Sequence, residues 1–103
     1  MKKCVLIYNP NSGLISRGNS LNKLKKIIND YNYSCEVYLT NHKGHTTEIV
    51  SSLPDDIALV ISIGGDGTFN EAMTGNFKRD KKLLLAHLPS GTTNDIATML
   101  GYG

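Results

Sequence analysis

Apolar positions along the 103-residue chain follow two alternating rhythms, short unbroken runs and longer stretches with three- and four-residue spacing. Cys4 to Tyr8 reads CVLIY and ends in the turn formers Asn9-Pro10-Asn11-Ser12-Gly13, as a strand covered on both faces does. From Asn19 to Tyr33, the residues Leu21, Leu24, Ile27, Ile28 and Tyr31 return at helical spacing, while Lys23, Lys25, Lys26, Asn29 and Asp30 take the remaining face. That pattern predicts an amphipathic helix. Cys35 to Thr40 repeats the strand pattern. A His42-Lys43-Gly44 loop then leads to a shorter helix with Ile49, Val50 and Leu53, closed by Pro54 and Asp55. Ile57 to Ile63 is rich in β-branched residues and stops abruptly at Gly64-Gly65-Asp66-Gly67, which predicts a third strand. Phe69, Ala72, Met73 and Phe77 mark one side of a third helix. After the basic segment Lys78 to Lys82, Leu83 to Leu88 predicts a fourth strand, and Ile96, Met99 and Leu100 a fourth helix.

Strands that alternate with helices in this way predict the α/β class, with a parallel sheet of about four strands and helices packed on both faces. The length allows one domain, spanning residues 1–103, and one core. Eleven basic against nine acidic residues give a net charge of +2, too even a balance for nucleic acid or an acidic membrane surface to be the partner on charge alone. No apolar run approaches the roughly 18 residues that span a bilayer, and the start of the chain reads as a strand, with no signal peptide or anchor. The expectation is a cytoplasmic protein without an integral membrane segment. Cys4 and Cys35 fall in apolar strands and are expected as reduced, buried thiols.

In a parallel sheet the βα loops gather at the carboxyl edge, together with the positive ends of the following helices. Three of these loops are rich in Gly, Asn, Ser and Thr. Gly64-Gly65-Asp66-Gly67-Thr68 lets the backbone turn tightly and approach a ligand closely, and Thr68 with Glu71 has the spacing of a capping box, which predicts the helix start at Thr68. Amides at a helix start suit a phosphate, although the same loop could be a turn that binds nothing. Pro89-Ser90-Gly91-Thr92-Thr93-Asn94-Asp95 repeats the arrangement, with Thr92 and Asp95 at capping-box spacing. With Asn9 to Gly13 it makes three loops able to hydrogen-bond a polyphosphate. Asp66, between glycines, is a candidate for a role at the ligand, as a partner for a hydroxyl or Mg²⁺ or as a base; Asp95 is equally suited to capping its helix.

Other motifs carry less. Gly13 to Ser20 has the spacing of a P-loop, but Asn19 stands where a phosphate-binding lysine is required; Gly65-x-Gly67-x-x-Asn70 lacks the last glycine of a dinucleotide fingerprint. His42 and His45 are too few for a zinc site and read as solvated loop residues. His87 reads as a hydrogen-bonded core or strand-end residue. The Lys78 to Lys82 run could touch lipid head groups, and a solvated turn explains it equally well.

The succession Asn9-Pro10-x-Ser12-Gly13, Gly64-Gly65-Asp66-Gly67-Thr68-x-Asn70-Glu71 and Pro89-x-Gly91-Thr92-x-Asn94-Asp95 resembles the catalytic domain of diacylglycerol kinases and related bacterial lipid kinases. NAD kinases and phosphofructokinases share the Gly-Gly-Asp-Gly loop, but the last segment is similar to the lipid kinases. The resemblance implies an ATP-binding α/β domain of the diacylglycerol/NAD kinase-like fold. Asn9, Pro10, Asn11, Ser12 and Gly13 would lie by the nucleotide, with Thr40 near it at the end of the second strand. Gly64, Gly65, Asp66, Gly67, Thr68, Phe69, Asn70 and Glu71 would hold phosphates and ribose, and Thr92 would complete the pocket. Asp66 would belong to the reacting centre and Asp95 to carboxylates near Mg²⁺. The implied reaction is transfer of the ATP γ-phosphoryl group to a lipid hydroxyl, with peripheral contact at the inner face of the membrane. Family members continue into a mostly β second domain that carries the acceptor site and the proton-accepting carboxylate. This sequence does not contain it, and Thr98 stands near where many relatives have an arginine. The expectation is therefore a nucleotide-binding half that is inactive alone. The alternatives are a self-associating, non-catalytic scaffold that forms homodimers and an NAD kinase-like domain.

Overall fold

The computed structural model describes residues 1–9 and 18–89, with the backbone alone for 18–21 and 89. Seven elements follow in the order β1 (Lys2–Tyr8), α1 (Gly18–Asp30), β2 (Tyr33–Leu39), α2 (His45–Ser52), β3 (Ile57–Gly64), α3 (Asp66–Phe77) and β4 (Leu85–Pro89). The strands pair in parallel in the order β2-β1-β3-β4, so the expected α/β sheet forms. The expected fourth helix lies outside the described residues. No helix among the described residues is long and apolar enough to cross a membrane.

Right-handed crossovers decide which helix covers which face. The chain moves from β1 outward to β2, then reverses past β1 to β3 and continues to β4. The reversal puts α1 on one face and α2 with α3 on the other. Leu24 and Ile28 of α1 pack with Cys4, Leu6, Leu59, Ile61 and Leu88. Ile49 and Val50 of α2 and Ala72 of α3 pack with Val5, Ile7 and Val60. β1 and β3 are central and nearly continuous in apolar residues because both faces are covered, whereas β2, at the edge, is half-buried with Glu36 and Leu39 exposed.

The third helix keeps its expected face only at Phe69 and Ala72. Met73 and Phe77 are exposed, and the buried positions are Ala72 and Gly75. α3 lies so close to α2 that a Cβ on Gly75 would sit 2.6 Å from the Thr47 carbonyl oxygen and 3.0 Å from Val50 Cβ. Only small residues fit there, and the bulky side chains are left outside. The basic segment also differs from a solvated turn. Arg79 is buried and donates to the carbonyls of Val50 and Leu53 at the end of α2 and to the Asp55 carboxylate. A guanidinium supplies the several donors that a helix C-terminus lacks partners for. Asn76 binds both the N–H and the C=O of Leu83, which fixes the approach to β4.

Candidate functional site

β1 and β3 are neighbours whose following segments leave toward opposite faces, since α1 and α3 cover different sides. Such a reversal opens a crevice at the carboxyl edge of the sheet. A cleft of about 320 Å³ lies at this edge, on the α2 and α3 side. Asn9 enters it from the end of β1; Thr40, Asn41, His42 and Lys43 from the segment after β2; Thr46 from α2; and Gly67, Thr68 and Glu71 from α3. The volume falls in the range of small-molecule sites, and the lining is mostly polar.

The turn into α3 shapes one wall. Gly64 ends β3 at φ 144°, a conformation in which a side chain is strained, and a Cβ there would lie 3.1 Å from Thr68 Oγ1. The helix begins at Asp66 behind Gly65, with no side-chain cap, so the capping box expected from Thr68 and Glu71 does not form. Thr68 lies inside the first turn, and its N–H reaches the Gly65 carbonyl. Glu71 reaches across to another loop instead. Its Oε2 accepts the N–H of Gly44 at 3.1 Å, while its carbonyl accepts the Thr47 hydroxyl at 2.8 Å. Gly44 itself takes φ 87°, which glycine adopts without strain. The wall made by 40–46 is thus tied to α3 by a carboxylate.

The two loop histidines are ordered by their neighbours and are not simply solvated. The His42 ring stacks on His45 with centroids 4.4 Å apart; its Nδ1 lies 2.6 Å from Asn41 Oδ1 and its Nε2 3.0 Å from Glu48. The imidazole beside it holds the Glu48 carboxyl below the usual carboxylate range. His45 Nδ1 accepts the Asn41 N–H, which shapes the turn into α2. His87 is a strand residue bonded to Ser62 at 3.0 Å, as expected, with the Phe69 ring against it.

The structure therefore brings together Asn9, Thr40, Gly67, Thr68 and Glu71, drawn from three separate segments of sequence. Gly65 and Asp66 are exposed beside them at the start of α3. Phe69 turns away toward His87, and Asn70 is exposed, its carbonyl accepting the Thr74 hydroxyl. Pro10, Asn11, Ser12, Gly13, Thr92 and Asp95 lie outside the described residues. Asn41, His42, Lys43 and Thr46 line the cleft without having been expected. The signal was available, because the segment after β2 reaches the same carboxyl edge as the other βα loops.

Comparison with known proteins gives a consistent picture. A profile of the diacylglycerol kinase catalytic domain matches residues 3–103. A diacylglycerol kinase of Bacillus subtilis (strain 168) is 33% identical, with 98% of this chain and 34% of the relative covered. One from Staphylococcus epidermidis (strain RP62A) is 36% identical, with 96% and 32% covered. A crystal structure of a diacylglycerol kinase from Bacillus anthracis str. Sterne superposes with a TM-score of 0.76 at 29% identity, over 97% of this chain and 37% of that one. The chain spans about a third of the length of these relatives.

Proposed function

Since the chain belongs to the diacylglycerol kinase catalytic domain family, we propose that the cleft binds ATP, with the phosphates over the start of α3, for transfer of the γ-phosphoryl group to a lipid hydroxyl. One observation carries the reading. Among the described residues a Cβ on Gly65 or Gly67 would meet nothing within 4 Å, so packing against them does not require glycine at either position. Their lack of side chains is explained if something outside the fold comes close to this backbone. A helix start with bare glycines suits a phosphate, because amides and helix dipole act together there.

In this reading Asn9 and Thr40 lie on the nucleoside side. Glu71, with one oxygen engaged by Gly44, has its other oxygen for a ribose hydroxyl. Pro10 to Gly13 and Thr92 close the pocket, and Asp95 joins the carboxylates near the metal. Asp66 is the described residue suited to Mg²⁺, which takes one or two carboxylates and completes its shell with phosphate oxygens and water. When bound, Mg²⁺ would offset the charge of the phosphates. The chain's own part is to position the triphosphate.

Transfer to lipid is proposed for the whole protein of which relatives three times as long are examples; the 103-residue chain alone is expected to bind Mg-ATP with negligible turnover. Isothermal titration of the chain with Mg-ATP, alongside Asp66→Asn, tests the site. The variant is expected to bind about tenfold more weakly, or ~1.4 kcal/mol. Equal affinity in both proteins would remove Asp66 from the site, and no binding in either would end the ATP reading for this chain.

A further inference from the structure

The two cysteines take no part in the cleft, and their placement is specific. Cys4 on β1 and Cys35 on β2 are directly opposed in the parallel ladder, and Cys35 packs against the apolar cluster that contains Cys4. Neighbouring strands run about 4.8 Å apart. That spacing lies inside the roughly 4.4–6.8 Å between Cα atoms that a disulfide bridges. Both thiols are free. Cys4 is 1% exposed, whereas Cys35, on the edge strand, is half-buried and reachable from solvent. The pairing of β1 with β3 shifts register between Lys3 and Cys4, so the ladder on the other side of Cys4 is already irregular and can yield.

We propose that Cys35 and Cys4 form a peroxide-sensitive dithiol, in which Cys35 is oxidised first and Cys4 resolves it to an intrachain disulfide. The thiols divide these roles by environment. Cys35 accepts a hydrogen bond from the Cys4 thiol and has the Lys25 ammonium near it, which holds it below the ordinary thiol range; donation to Cys35 and burial push Cys4 up. The accessible, more acidic sulfur is the one that reacts with peroxides. The Cys35 thiolate attacks hydrogen peroxide; an S–O bond forms, the O–O bond breaks and hydroxide leaves, giving a sulfenic acid. Cys4 then attacks the Cys35 sulfur, the S–O bond breaks, and the Cys4 proton leaves with the hydroxyl as water. The two sulfurs together lose two electrons and the peroxide is reduced to water. The bridge would lock β1 to β2 five residues upstream of both Asn9 and Thr40, on the strands that deliver them to the cleft.

The native chain is treated with hydrogen peroxide, remaining thiols are alkylated, and intact mass and cysteine peptides are read. Both thiols are expected to become unavailable together, with a mass lower by two hydrogens and full recovery on reduction by dithiothreitol. Cys4→Ala should give a sulfenic acid at Cys35 that dimedone traps; Cys35→Ala should leave Cys4 unoxidised. Wild-type protein that keeps both thiols, forms only interchain disulfides, or carries sulfinic acid at Cys35 beside free Cys4 would overturn the proposal. If a variant does not fold, the wild-type mass measurement decides alone.

Discussion

Replacing Gly75 by alanine separates two opposing effects whose sizes can be compared. At an exposed helix position the change gains about 1 kcal/mol from helix propensity. At this position the added methyl would lie 2.6 Å from the Thr47 carbonyl oxygen, 3.2 Å from Thr47 Cα and 3.0 Å from Val50 Cβ. Two of these three atoms belong to backbone, so no rotamer change relieves the contact. To restore ordinary separations of about 3.5 Å, α2 would have to retreat by roughly an ångström. Overpacking of this kind costs about 1–3 kcal/mol, and a backbone neighbour places it toward the upper end. The net effect is a loss of about 1–2 kcal/mol. For a domain of this size that corresponds to a fall in Tm of roughly 5–15 °C. Thermal unfolding followed by far-UV circular dichroism measures it. Gly67→Ala is the internal control, because it adds the same methyl to the same helix where nothing among the described residues lies within 4 Å. It should leave Tm unchanged or raise it slightly. A Gly75→Ala protein as stable as wild type would show that α2 and α3 are not held at the distance argued above.

Gly67→Ala should also weaken Mg-ATP binding by about tenfold or more while keeping the fold, a combination that titration and thermal unfolding of one sample can read. Arg79→Met removes the donors to the carbonyls of Val50 and Leu53 and should cost about 2–4 kcal/mol in urea unfolding, since buried acceptors lose a charged partner; Arg79→Lys should recover little of it. The pair of Lys3 and Asp56, 2.7 Å apart, gives stability a dependence on pH. Asp56 is held below the usual carboxylate range by Lys3, so its contribution is complete above that range and fades as pH falls through its depressed value; Lys3 is raised, and its contribution is lost only as pH climbs past the ordinary lysine range. Asp56→Asn should therefore flatten the acid side of a stability-against-pH curve, and the difference should shrink in high salt because both groups are exposed.

The strands could be read in advance because each is a run of apolar residues wanting cover on both faces, and the segments Cys4 to Tyr8 and Ile57 to Ile63 lie inside β1 and β3. Helix α1 was legible for the complementary reason, as Leu24 and Ile28 sit on a regular apolar stripe. Helix α3 was legible only in part. Its expected face held at Ala72 and Phe69 and failed at Met73 and Phe77, because the close approach to α2 is made by Gly75, which carries no hydrophobic signal. Arg79 was hidden in a basic run because its burial depends on carbonyls that the end of α2 presents only after folding. In the cleft, the glycine-rich turn was legible by composition. Asn41, His42, Lys43 and Thr46 were legible only through topology, since the segment after β2 and the start of α2 lack that composition; the bond that Gly44 N–H donates to Glu71 draws them to the site.

The glycines near the site divide by what demands them, and this division bears most directly on function. Gly44 and Gly64 occupy backbone angles that a side chain adopts only with strain, and Gly75 faces a carbonyl at less than contact distance. Each of these three is explained by the fold alone and would be needed in a domain that bound nothing. Gly65 and Gly67 are not explained in that way: neither has positive φ, and neither has a neighbour among the described residues where its Cβ would be. A helix whose second residue is glycine gives up stability that alanine would supply. The loss is understandable if the ligand, and not the fold, needs the space. Substitutions in the two groups should therefore fail differently. Changes at Gly44, Gly64 and Gly75 should lower Tm first and binding with it, whereas changes at Gly65 and Gly67 should lower binding at constant or higher Tm. Parallel loss of both properties at all five positions would mean that the turn is only structural, and the case for phosphates above α3 would fall with it.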